Sequence, residues 1–233
     1  MSAAELLALQ VPEGTLEVEA SVAPFLPPDF VADPMRYFDQ RGTRVRRGTA
    51  VTYNAAGRID DDPNAVRDFP VWSDPRGEEL RVVGKRVNTK KSMVRRSANP
   101  FYEYRVMHLV RELGFVTARP LATLAQRGSY FFVTERVEGF RWVQRRKAGL
   151  DKAECARIHA EADALMAPLQ AALEDAGIRR PWHVKDMIMK LDPDTQSVRA
   201  IVPVDWEETR LDFGRLSQSP VAHLLHELRR RTQ

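Results

Sequence analysis

The chain has 233 residues, 43% of them hydrophobic and 29% charged, an ordinary soluble composition that can bury a core in one compact unit or two small lobes. Its single cysteine, Cys155, excludes an intramolecular disulfide framework and a cysteine-based zinc site, so a reducing location such as the cytoplasm is expected. The 36 Lys+Arg outnumber the 32 Asp+Glu by a mild +4, but they cluster in "TRVRRG" from residue 43, "GKRVNTKKSMVRR" from 84, "FRWVQRRK" from 140 and the terminal "ELRRRTQ", which favours anionic partners locally.

No run approaches the roughly 18 apolar residues of a membrane span, and "MSAAELLALQVPEG" has no basic region before its short apolar patch. Neither export nor insertion is expected. Residues 1–40 contain "APFLPPDFVADP", whose prolines oppose helix and ladder pairing and predict an extended arm. From "TRVRRGTAVTYNAAG" the residues become β-branched and alternating, "RIDDDPNAVRDFPVWSDPRGEE" interrupts as a long loop or insertion, and "LRVVGKRVN" resumes as an apolar strand. In "NPFYEYRVMHLVRELG", Val106, Leu109, Val110 and Leu113 fall on one helix face, with Asn99 and Pro100 as a start and Gly114 as a stop. "ARPLATLAQRGSYFFVTERVEG" reads as two strands around "QRGS", and residues 151–176 as helical, ended by Gly177. Cys155 sits within that charged helical pattern as a structural or surface thiol. "DMIMKLDPDTQSVRAIVPVDW" predicts a hairpin with strands at 187–191 and 198–204, and Val221, Leu224, Leu225 and Leu228 mark a last amphipathic helix.

Three positions in this order invite chemistry. Lys85 ends an apolar run, and Glu103, 18 residues later, shares a helix face with Val106 and Val110; a lysine so held by a glutamate can grip a polyphosphate. The bland alternatives are one more solvated lysine, and a Glu103 that caps its helix or pairs with Arg105 or Lys90. The strand through Tyr130 leads into "ERVEG", where the Glu135 carbonyl and the Val137 amide could meet an adenine ring. Asp205 follows the apolar "IVPV", a costly place for a carboxylate unless it is paired or bound to magnesium.

Taken together, "VVGKRV", "FYEYRVMHLVRELGFVTARPLA", "YFFVTERVEG" and "VPVDWEE" resemble the lysine strand, glutamate helix, hinge and metal motif of the protein-kinase-like superfamily, more closely its bacterial small-molecule and lipopolysaccharide kinase branches. The resemblance covers roughly residues 80–208. It implies a minimal two-lobed α+β fold with an N-terminal arm at 1–40, an N-lobe at 41–138 and a trimmed C-lobe at 139–233. It also implies ATP and Mg2+ as cofactors and phosphate transfer to a hydroxyl of a small, sugar-like or lipid-linked acceptor. In "RRPWHVKDMIMK", Asp186 matches the metal-binding asparagine of the family's loop, and five residues earlier Pro181 stands where the family has its catalytic aspartate. The lipid-kinase loop D-R-H-x-x-N is similar, with His183 retained. The resemblance therefore implies that His183 orients or deprotonates the acceptor, that Asp186 and Asp205 hold magnesium, and that Lys185 balances charge near the phosphoryl group, against a bland alternative in which His183 is a packed or surface histidine and Lys185 and Asp186 form a surface pair. Glu207 and Glu208 are surface acids or second-metal ligands. The literal "DFG" at 212–214 follows the polar "EETRL" and is read as a decoy.

The phosphate-covering loop departs from the family pattern, because Gly48 and Gly57 flank "TAVTYNAA" with no G-x-G-x-x-G. Together with Pro181, this supports a rival reading as a pseudokinase that binds nucleotide without turnover. A third reading, a nucleic-acid or anionic-surface binder, rests on Phe101, Tyr102, Tyr104, Phe140 and Trp142 near the basic runs.

Overall fold

The computed structural model describes residues 5–12, 14–44, 66–88, 101–126, 129–142, 148–206 and 209–230. They divide into two compact units, one formed chiefly by Met1–His108 with Arg119–Arg136 and the other by Leu109–Ala118 with Val137–Arg231.

The first unit begins with β1 (Leu6–Val11) and β2 (Gly14–Glu19), paired antiparallel with Leu9 opposite Leu16. Alternation in "LEV" turns Leu16 and Val18 inward, both fully buried. After a 3-10 turn over Ala20–Phe25 come α1 (Pro28–Ala32) and α2 (Pro34–Arg41). Their prolines occupy first helical positions, where a missing N–H costs nothing, and the Asp33 carboxylate caps α2 by accepting from the Arg36 amide at 2.7 Å. The expected extended arm is thus corrected: it carries the hairpin β1 and β2 and the helices α1 and α2, which Pro28 and Pro34 start.

The unit continues through β3 (Thr43–Arg44), β4 (Val66–Asp68), β5 (Trp72–Ser73), β6 (Glu79–Leu80), β7 (Val82–Asn88), the start of α3 (Tyr102–Glu112), whose residues from Leu109 belong to the second unit, β8 (Pro120–Gln126) and β9 (Ser129–Glu135). One seven-stranded sheet results, in the order β1-β2-β8-β9-β7-β4-β3, and every pairing in it is antiparallel. Its core is aromatic. Phe30 lies 4.9 Å from Trp72, Phe38 lies 5.5 Å from Phe131 and 5.8 Å from Phe69 between ring centroids, and the Trp72 indole donates to the Tyr37 hydroxyl at 3.1 Å. The stretch expected as loop or insertion therefore supplies strand β4 and two core side chains, Phe69 and Trp72. Gly84 on β7 makes room for Phe69, since a Cβ there would stand 2.6 Å from its ring.

The second unit contains β10 (Phe140–Arg141), α4 (Lys152–Asp175), β11 (Ile178–Arg179), β12 (Met187–Leu191), β13 (Val198–Pro203), β14 (Arg210–Leu211), α5 (Phe213–Leu216) and α6 (Ala222–Arg230). α4 opens on a capping box, with Asp151 accepting from the Glu154 amide and Glu154 accepting from the Asp151 amide, and it stops at Gly177, whose φ of +89° is left-handed. β12 and β13 form the expected hairpin, extended on one side by β10, while β11 pairs with β14. In the hairpin turn the Asp192 carboxylate accepts from the Thr195 amide and hydroxyl and from the Asp194 amide, bonds that hold its pKa below the usual carboxylate value. α6 buries Leu225 and Leu228, with Val221 buried just before its start, as the amphipathic spacing predicts. Antiparallel sheets with separate helices make the chain a mixed α and β fold, and among the described residues no helix is long and apolar enough to cross a membrane.

Candidate functional site

Lys85 is the fourth residue of β7, opposite Phe132 on β9 and Val66 on β4. Pleating turns it to the same side as Val83 along the strand, and its residue is only 9% exposed. Glu103 lies in the first turn of α3 and is 1% exposed. The Lys85 Nζ donates to both Glu103 carboxylate oxygens at 3.0 Å and lies 5.7 Å from the centroid of the Phe132 ring. The structure thus brings together the first two predicted site residues as a buried ion pair, and Lys85 is no solvated lysine. Arg105 is engaged elsewhere, donating to both Glu17 oxygens at 2.9 and 2.8 Å.

A second pair lies in the same unit. Arg119 holds Glu19 with contacts as short as 2.6 Å, joined by the Ser21 hydroxyl at 2.7 Å. Burial alone would raise the Glu19 carboxyl, but the hydrogen bonds from Arg119 and Ser21 outweigh it and leave its pKa lowered. Phe101 and Tyr104 are buried, and burial pushes the Tyr104 phenol well above its ordinary value and that of Tyr102 up to about 12. Buried rings cannot stack on bases, so this part of the nucleic-acid reading is not realised at Phe101 and Tyr104. Phe140 and Trp142 are half-buried. The basic runs at 45–48, 89–96 and 143–147 lie outside the described residues, as do Gly48, Gly57, Glu207 and Glu208.

Glu135 closes β9 opposite Val82, its amide donating to the Arg119 carbonyl at 2.8 Å. Val137, two residues on, opens the second unit and is half-buried.

In the second unit the stretch between β11 and β12 alternates strictly: Arg180, Trp182, Val184 and Asp186 are buried, whereas Pro181, His183 and Lys185 are exposed. A 3-10 turn, Val184–Asp186, ends it. The His183 amide donates to Asp186 Oδ2 at 3.2 Å and the His183 ring Nδ1 lies 3.5 Å from the same oxygen, yet the ring is 65% exposed. The Asp186 carbonyl accepts from the Val204 amide at 3.1 Å, which ties this loop to the residue before Asp205. Asp186 and Asp205 are in turn linked by a residue the sequence reading missed. Arg180 places Nη2 3.5 Å from Asp186 Oδ2 and Nη1 3.7 Å from Asp205 Oδ1, with its side chain 3% exposed. Its guanidinium lies 4.6 Å from the centroid of Trp182, which meets Trp206 edge to face at 4.7 Å. Trp206, fully buried, donates to the Thr117 hydroxyl at 2.8 Å, and that hydroxyl donates to the Pro203 carbonyl at 3.0 Å.

Two carboxylates are the hard oxygen donors that magnesium takes, and both side-chain contacts of Asp186 fall on a single oxygen, Oδ2. Among the described residues no group of three or more His, Cys, Asp or Glu is arranged to hold a metal. Two carboxylates alone would leave most of an ion's shell to phosphate oxygens or water. Asp212 serves another purpose, capping α5 by accepting from the Arg215 amide at 3.1 Å, in keeping with its reading as a decoy.

No protein-family model matches the chain, and no curated protein matches it. Among solved structures it is similar to that described as "Co-crystal structure of WbdD and kinase inhibitor LY294002", at 16% identity and a TM-score of 0.40, over 72% of this chain and 36% of that one. The chain thus spans about a third of the length of that structure.

Proposed function

We propose that the chain is a minimal, two-lobed kinase-like phosphotransferase that uses ATP and magnesium to phosphorylate a hydroxyl of a small, sugar-like or lipid-linked acceptor. The observation that carries this reading is the buried Lys85 and Glu103 pair, with Nζ at 3.0 Å from both carboxylate oxygens. Holding a lysine on a central strand this way aims one positive charge, and phosphoryl transfer depends mainly on such placed charges. Lys85 would contact the nucleotide phosphates, Glu103 would fix Lys85, and the Glu135 carbonyl and Val137 amide would take the adenine. Asp186 and Asp205 would hold magnesium, which neutralises phosphate charge and polarises the transferred group when bound. His183, exposed and anchored at Asp186, would orient the acceptor hydroxyl.

A second reading, nucleotide binding without turnover, is favoured by one specific feature. Pro181 offers no proton acceptor where the resembled family has its base, and His183 is the nearest substitute. Both readings require ATP binding, which raises the melting temperature by mass action. Wild type should shift with about millimolar ATP and Mg2+. Lys85→Arg, which keeps a charge opposite Glu103 but misplaces its donors, and Asp205→Asn should shift far less. Absence of a shift in the wild type would sink both readings. Hydrolysis of ATP carrying a labelled terminal phosphate then separates them: turnover that survives His183→Ala unchanged would remove histidine from the mechanism, and no turnover would leave the binding module.

A further inference from the structure

We propose that Arg180 is a resident counter-cation for Asp186 and Asp205, holding the two carboxylates together without metal and making the pair a weak site for a divalent cation on its own. The inference rests on reading these aspartates as the magnesium ligands.

The first ground is burial. A guanidinium whose side chain is 3% exposed needs opposing charge, and the two aspartates supply it, one at each terminal nitrogen, at 3.5 and 3.7 Å. The second is the character of these contacts. They lie at ion-pair rather than hydrogen-bond length, and Arg180 Nε and Nη1 have no hydrogen-bond partner among the described residues. Arg180 therefore acts on the pair through its charge and keeps donors for an anionic oxygen. The third is immobilisation. The guanidinium lies 4.6 Å from the Trp182 ring, Trp182 is braced by Trp206, and the following Pro181 restricts the Arg180 backbone to extended conformations. The side chain has little freedom to move away when another cation approaches.

The guanidinium offsets part of the negative charge of the two carboxylates. A bare divalent ion therefore meets less attraction than two unshielded carboxylates would give, the difference being its repulsion from Arg180. An ion that arrives already bound to a polyphosphate brings negative charge of its own, which Arg180 attracts. The cluster thus favours a metal and nucleotide that enter together over metal alone.

The test is Mn2+ binding to nucleotide-free protein, followed by the paramagnetic resonance signal of free Mn2+. Arg180→Met keeps a stem against Trp182 and removes the charge; it should bind Mn2+ at least about tenfold more tightly than wild type. Arg180→Lys keeps the charge and should stay within about twofold of wild type. A folded Arg180→Met protein that binds Mn2+ no more tightly than wild type overturns the proposal. A second arm needs no variant: the wild-type melting temperature should agree within about 1 °C in EDTA and in excess Mg2+, and a rise of several degrees with Mg2+ alone overturns it too. None of these measurements contains nucleotide. An ATP shift that is lost in Asp205→Asn, with no Mn2+ gain in Arg180→Met, would remove the counter-cation and keep the kinase reading, and the opposite pattern would do the reverse.

Discussion

Removing Lys85 strands a charge. The Glu103 side chain is fully buried and that of Lys85 is 11% exposed, so Lys85→Met leaves a carboxylate in an interior without its lysine. At pH 7 such a carboxyl, ordinarily titrating near 4.3, can escape its charge by taking up a proton at about 3.7 kcal/mol. A lysine stranded by Glu103→Leu can lose its proton at about 4.6 kcal/mol, from an ordinary value near 10.4. These bounds agree with the roughly 3–5 kcal/mol that breaking a buried pair costs. The double variant, Lys85→Met with Glu103→Leu, removes both charges of the pair and should return to within about 1.5 kcal/mol of wild type. Equilibrium urea unfolding at pH 7, with slopes compared across all four proteins, measures the cycle. Single variants that lose under about 1 kcal/mol, or a double variant whose loss equals the sum of the singles, would refute the reasoning.

The Glu19 and Arg119 pair should appear in acid. Because the folded Glu19 carboxyl titrates below its unfolded value, its contribution is present above the ordinary carboxylate value and is lost as pH falls through the folded one. Wild type should therefore lose urea stability more steeply than Glu19→Gln below about pH 4.5, and parallel profiles would show that the pair contributes nothing. Thr117→Val removes the hydroxyl between the Trp206 indole and the Pro203 carbonyl. It should cost about 1–3 kcal/mol in the same assay, since the fully buried indole N–H loses its acceptor, and a loss under about 0.5 kcal/mol would argue that Trp206 finds another.

What could be read from sequence divides along a physical line. The helix over Glu103, the strands around "QRGS", the helix from 152 and the hairpin before Asp205 all follow from periodicity, caps and turn residues, which act within a few positions. The early segment was misread for the same reason. Proline opposes a helix interior but suits a helix start, and only the tertiary setting of Phe30, Tyr37 and Phe38 tells which applies. Phe69 and Trp72 were hidden among acids and prolines because three-residue strands leave no period to detect. At the candidate site, Lys85 and Glu103 were legible from a strand, a helix and their spacing. Arg180 was not, because an arginine beside another arginine reads as surface charge. The available signal was its alternation with Trp182, Val184 and Asp186, a buried rhythm that continues past a proline.

The two ionic clusters differ in kind, and the difference bears on what each can do. The Lys85 pair is short and symmetric, with both oxygens at 3.0 Å, so its geometry is set before any ligand arrives. An apolar couple of similar volume would serve stability as well, so stability alone does not account for an ion pair here. The Arg180 cluster is longer, at 3.5 and 3.7 Å, and keeps unsatisfied donors, so it retains capacity for a new partner. Pro181 fits that arrangement. Its ring adds no charge and restricts the Arg180 backbone before it to extended conformations. With no proton acceptor at 181 and His183 largely exposed, whatever transfer this loop supports must draw on placed charge more than on proton abstraction. Substituting Arg180 should then damage transfer more than substituting His183 does, the reverse of what a loop built around a general base would show.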